Sequence, residues 1–137
     1  MNTDHRGGHV GSLLVLIVED NDKNLKLARD LLQAKGFQTI EAMDGETGID
    51  LAGEFRPDLV LLDVQLPGID GIEALAILRA EPKTARIPVV AVTAHAMGGD
   101  RERLEAAGFD GYIAKPIDVR EFPDRVRDFC LRGAPGT

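Results

Sequence analysis

The residues able to do chemistry in this 137-residue chain stand at the ends of apolar runs. Leu59-Val60-Leu61-Leu62 ends on Asp63, and a Pro67-Gly68 turn follows almost at once. Leu13 to Val18 ends on Glu19-Asp20, Pro88 to Val92 ends at Thr93, and Gly111 to Ala114 ends at Lys115-Pro116. Three carboxylates brought together repel. At ~4 Å and an effective dielectric near 20, each close pair costs about 4 kcal/mol. Such a cluster is tolerated when it holds a cation or protonates. Oxygen-only donors in a solvent-facing cleft suit Mg²⁺, which keeps several waters and takes one or two carboxylates plus a phosphate. Mn²⁺ would substitute on the same ligands. A lysine offers a compact charge for a phosphoryl oxygen, and a threonine hydroxyl offers a movable donor. With Asp63 as the carboxylate nucleophile, the set reads as an acceptor that takes a phosphoryl group as an acyl phosphate. Taken singly, each residue has a plainer explanation. Asp20 would favour a helix dipole, Thr93 suits a strand, and Lys115 would be a solvated charge. Their placement at the same end of successive runs is what argues for chemistry.

Positioning them falls to the elements around them. Branched apolar runs without alternation predict parallel strands buried on both faces. Gln38 to Ala42, short and half polar, suits an edge strand. Asn21 and Asp22 are good caps for a helix from Lys23 to Lys35, with Leu25, Ala28, Leu31 and Leu32 as its apolar stripe and Gly36 at its left-handed end. A second helix, Glu46 to Phe55, is expected to bury Ile49, Ala52 and Phe55 and to stop at Arg56-Pro57. Asp70 and Glu73 have capping-box spacing for a third. A fourth spans Asp100 to Ala107 and a fifth Asp118 to Leu131; there Pro123 calls for an irregular first turn, the favoured reading, or for a helix that starts only near Pro123. Strict alternation of five strands and five helices predicts an α/β fold. The sheet would be mostly parallel and doubly wound, and an order of 2-1-3-4-5, the flavodoxin-like one, would put strands one and three side by side at the switch point. Ligands in such sheets bind at the carboxyl ends of the strands, where all these residues stand.

The length fits one domain, expected over 13–131 between tails at 1–12 and 132–137. A net charge of -7 argues against nucleic acid or an anionic membrane as partner. The one cysteine, Cys130, forms no internal disulfide, which fits a reducing cytoplasm. No apolar run reaches the ~18 residues of a membrane span. No output domain is expected after the last helix.

In order along the chain, Val15-Leu16-Ile17-Val18-Glu19-Asp20-Asn21, Pro57 to Gly71, Val89 to Ala94 and Gly111 to Pro116 resemble the bacterial response-regulator receiver domain, the CheY-like family. The Glu-Asp-Asn opening and Val92-Thr93-Ala94-His95-Ala96-Met97-Gly98-Gly99-Asp100-Arg101-Glu102-Arg103 are similar to DivK-like single-domain regulators and to receiver modules of hybrid histidine kinases. The resemblance implies that Asp63 is the phospho-acceptor. It implies Mg²⁺ on Asp20, Glu19, Asp63 and the Gln65 backbone carbonyl. Thr93 and Lys115 would hold the phosphoryl group, and Tyr112 would turn inward when Thr93 moves. The Lys115-Pro116 bond would be cis. Gln65 and His95, two residues past Asp63 and Thr93, would modulate the lifetime of the phosphorylated form. The donor would be a histidine kinase or a histidine phosphotransfer protein, docking on the first helix, with Asn24, Leu27 and Leu31 as candidates, and on the Pro116-Ile117 loop. The output would be a protein contact through helix four, strand five and helix five, with a downstream partner the sequence does not name. The chain would be a signalling acceptor rather than a turnover enzyme. A haloacid-dehalogenase-type phosphatase would need an aspartate where Gln65 stands. A nucleotide- or flavin-binding domain would need a glycine- or hydroxyl-rich loop in place of Glu19-Asp20-Asn21-Asp22. The remaining alternative is a phosphorylation-independent interaction scaffold.

Overall fold

A computed structural model describes residues 13–94 and 100–132. Strands and helices alternate: β1 (Leu14–Val18), α1 (Asp22–Ala34), β2 (Gln38–Ala42), α2 (Gly45–Phe55), β3 (Leu59–Asp63), α3 (Gly71–Ala80), β4 (Val89–Thr93), α4 (Asp100–Ala107), β5 (Gly111–Ala114) and α5 (Phe122–Arg132). The strands form one parallel sheet in the order β2-β1-β3-β4-β5.

The continuous apolar runs are explained by two cores, one on each face. Val15 and Ile17 of β1 join Leu59 and Leu61 of β3 and Val90 and Val92 of β4 on the face covered by α1 and α5. Leu16, Val18, Val60, Leu62, Val89 and Ala91 point the other way, toward α2, α3 and α4. Successive side chains of a strand alternate faces, so a strand covered on both sides must be apolar throughout. The outer strand β2 is only partly buried until Ala42.

Local chemistry sets the helix ends. Asn21 caps α1 by accepting the Asn24 amide. At the other end Gly36 takes φ +95°, while its amide and that of Phe37 bond back to Gln33 and Leu32. This is the Schellman arrangement, which favours glycine. Asp70 and Glu73 form the full capping box of α3.

Two expectations need correction. Phe55 is 48% exposed, because the buried stripe of α2 is made by the small residues Gly45, Gly48 and Ala52, and the ring falls on its flank at the last turn. As expected, α2 stops before Arg56-Pro57: Arg56 leaves helical geometry for the left-handed region at φ +45°. The last helix begins at Phe122, not Asp118. Asp118 instead folds the preceding turn: its carboxylate accepts the Arg120 and Glu121 amides and its carbonyl accepts the Phe122 amide. Pro123 is thereby second in the helix, where a missing amide costs nothing.

Candidate functional site

Strand register brings the candidate residues to one edge. Val18 pairs with Leu62, Asp63 with Val92, and Thr93 with Ala114. Glu19-Asp20, Asp63, Thr93 and Lys115 therefore leave the sheet at the same level. The Lys115 amide donates to the Thr93 carbonyl at 2.8 Å, and the Lys115-Pro116 peptide is cis.

Glu19, Asp20 and Asp63 each direct a carboxylate oxygen to a common point, these atoms lying within 4.8 Å of one another. Glu19, Asp63 and Thr93 are buried, and Asp20 is exposed. Lys115 Nζ lies 2.9 Å from Glu19 Oε1 and 3.0 Å from Asp63 Oδ2, bridging the two buried carboxylates. The remaining oxygens accept backbone amides: Glu19 Oε2 from Asn21 and Asp63 Oδ1 from Gln65, both at 3.0 Å. Asp20 has no ion pair or hydrogen bond among the described residues.

The charge balance is uneven, three carboxylates to one ammonium. Burial holds the Glu19 carboxyl above its ordinary value; Lys115 and the Asn21 amide pull the other way, and the neighbouring Asp63 adds to the rise. For Lys115, burial would lower the ammonium's value, but Glu19 and Asp63 outweigh it and the net shift is upward. A second cation is the natural complement. Hard carboxylate oxygens with one freely exposed member meet the donor requirement of Mg²⁺ or Mn²⁺. The residues present thus fit a divalent ion.

The phospho-acceptor candidate is also held from behind. A Cβ on Gly71 would fall 2.6 Å from the Asp63 carbonyl oxygen and 2.7 Å from Val64 Cα. Only glycine lets α3 begin this close to the end of β3, and its amide bonds the Val64 carbonyl at 2.9 Å. Gly71 has no assigned role at the level of sequence, although its position just after the Asp70 cap marks it. The Lys115–Glu19 contact is likewise visible only in the folded chain.

Tyr112 is half-buried on the edge strand, with the Arg101 guanidinium 5.6 Å above its ring. Gln65 is exposed, and its amide is the group that touches Asp63. His95 lies outside the described residues. On α1, Leu27 is exposed and Leu31 partly buried. No helix among the described residues is long and apolar enough to cross a membrane.

Residues 15–127 match the family model of the response regulator receiver domain. This chain belongs to that family. Receiver domains are signalling modules of two-component systems, where they receive phosphoryl groups from histidine kinases. The chain is similar to the polar-differentiation response regulator DivK of Brucella anthropi, with 47% identity over 115 residues, covering 84% of this chain and 94% of that protein. It is also similar to the receiver domain of a sensor histidine kinase of Pseudomonas aeruginosa, solved with magnesium coordinated in its active site cleft. That likeness has a TM-score of 0.79 and 34% identity over 87% of this chain and 97% of the other. The Mn²⁺-bound response regulator Rcp1 matches with a TM-score of 0.70 and 25% identity over 91% and 96% of the two chains. The five parallel strands and five helices are the CheY-like, flavodoxin-like fold expected from the sequence.

Proposed function

We propose that Asp63 accepts a phosphoryl group from a phosphohistidine donor and that the phosphorylated chain signals through a protein contact. The observation that carries this reading is the Glu19–Asp20–Asp63 cluster with Lys115 between its buried members. An Asp63 carboxylate oxygen attacks phosphorus, and the bond from phosphorus to the donor imidazole nitrogen breaks. The nitrogen keeps the electron pair and takes up a proton, and the phosphoryl group ends as an acyl phosphate on Asp63. The Gln65 amide fixes one Asp63 oxygen, so the nucleophile is aimed before the donor arrives. Lys115, already against Asp63, moves its charge to the phosphoryl oxygens, and the Thr93 hydroxyl donates to them. Glu19, Asp20, Asp63 and the Gln65 carbonyl would hold Mg²⁺ or Mn²⁺, which supplies positive charge for the transferring group.

The donor is a histidine kinase or histidine phosphotransfer protein that meets α1, around Asn24, Leu27 and the partly buried Leu31, and the Pro116-Ile117 loop. Gln65 and His95 tune the lifetime of the acyl phosphate, and Tyr112 reports the move of Thr93 to the face of α4, β5 and α5. The module works at the cytoplasmic end of such a relay. Intact-mass spectrometry after incubation with acetyl phosphate tests the reading. One phosphoryl group is expected with Mg²⁺ present, and none with a chelator or on Asp63→Asn. A native chain that stays unmodified in Mg²⁺ would favour a phosphorylation-independent scaffold.

A further inference from the structure

Beside the acidic cluster a polar cavity of about 330 Å³ opens between the start of α3 and the start of α4. Gln65, Asp70, Thr93, Asp100 and Arg103 are its polar lining among the described residues. Among the described residues Arg103 is its only cationic wall. Asp70 is committed, since its carboxylate caps α3 through the Glu73 amide at 2.9 Å. Arg103 is not: its nearest acid is Asp100, at 3.6 Å, too long for a hydrogen bond and on a pair of well-exposed side chains. The helix carrying both is thinly anchored, with Leu104 its one buried side chain.

We infer that Arg103 is a positioning residue of the phosphorylated state, exchanging its Asp100 contact for the phosphoryl group and so drawing in the first turns of α4. The inference rests on the reading of Asp63 as acceptor. A phosphoryl group brings about two negative charges to the edge of a cavity that already holds two carboxylates. Asp100 is repelled and Arg103 attracted, and both lie within one turn of α4. The two forces therefore act together on a helix that little else holds. A guanidinium suits this exchange, because its fork binds phosphoryl oxygens better than a distant carboxylate.

The same helix connects the exchange to Tyr112. Arg101, two residues before Arg103, points to a different face of α4, since residues two apart do not share one. It stands over the Tyr112 ring. Any rotation that brings Arg103 to the phosphoryl group changes the Arg101–Tyr112 contact. The helix thus reads the cavity on one face and the edge-strand aromatic on the other.

The chain has one tyrosine and no tryptophan, so its intrinsic fluorescence reports Tyr112 alone. Beryllofluoride with Mg²⁺ serves as the phosphoryl mimic, its binding followed by fluorine NMR and its effect by tyrosine fluorescence. Loss of one charge-assisted contact predicts about tenfold weaker binding for Arg103→Ala and a diminished Tyr112 response. Arg103→Lys should recover part of both. Asp100→Asn, which frees Arg103 and removes a repelling charge, should bind about threefold more tightly. Mg²⁺ affinity without beryllofluoride should be the same in all four proteins, as should their thermal unfolding, which separates a phosphoryl contact from damage to the fold. Wild-type affinity and a full Tyr112 response in Arg103→Ala would overturn the inference while leaving Asp63 as acceptor. Failure of the wild type itself to bind beryllofluoride would overturn the acceptor reading and this inference with it.

Discussion

The two edges of the sheet use charge in opposite ways. At the carboxyl edge, two of three clustered carboxylates share one lysine, and the third, Asp20, has no partner among the described residues. At the amino edge, charged groups are spent on backbone. Arg79 donates to the carbonyls of Ala85, Ile87 and Gly108 and pairs with Asp110 at 2.8 Å, and Asp110 accepts the Val89 amide in turn. Asp58 accepts the Leu14 amide. One edge is closed electrostatically and ties the α3–β4 and α4–β5 loops together. The other is left with excess negative charge that a divalent ion or a phosphoryl chemistry can use. The comparison shows where stability is stored and where it is withheld.

Breaking the amino edge should have the largest effect on stability. Arg79→Met orphans several carbonyls and leaves Asp110 without its cation, which should cost about 3 kcal/mol in urea unfolding. Mg²⁺ should restore none of it, and acceptance of a phosphoryl group by the folded fraction should persist. Lys115→Met at the other edge should cost less, about 2 kcal/mol in a chelator, because a buried pair loses its cation but one carboxyl can take up a proton. Here Mg²⁺ should recover most of the loss and bind more tightly than to the native chain, as read by calorimetry. If Mg²⁺ recovered Arg79→Met equally, the distinction between the edges would fail.

The smallest effect concerns Cys130, which lines a groove at the amino edge with Pro57, Asp58 and Pro88. Burial, and then the nearby Asp58 carboxylate, push its thiol up to about 12. The thiolate fraction near pH 8 is thus about a thousandfold lower than in an unfolded chain. Greater intrinsic nucleophilicity offsets part of this, so iodoacetamide should react on the order of fiftyfold more slowly with the native chain. Because the folded state holds this proton more tightly, the group's contribution to stability is present below pH 9 and is lost as pH rises toward about 12. Equal alkylation of native and urea-unfolded chain at pH 8 would contradict this.

What the sequence revealed depended on whether the cause was local. Buried parallel strands need apolar residues throughout, so their ends were visible, and with them Glu19, Asp20, Asp63, Thr93 and Lys115. The caps at Asn21, Gly36 and Asp70 follow from residue type at one position. The Arg79 network was not visible, because it joins residues up to 31 apart whose approach exists only after the loops fold. Arg103 read as one charge among several on α4, and only the rotational setting of that helix turns it into a cavity with Thr93. Phe55 was misplaced because apolar periodicity cannot show that small residues already fill the stripe.

Locating the phosphoryl group chemically tests the central claim most directly. Borohydride reduces an acyl phosphate to the alcohol, so an aspartyl phosphate becomes homoserine. After treatment with acetyl phosphate and Mg²⁺, then borohydride, peptide mass mapping should find homoserine at position 63 and at no other aspartate. Homoserine at position 20, or at no position in a chain that had gained a phosphoryl group, would contradict the assignment of Asp63.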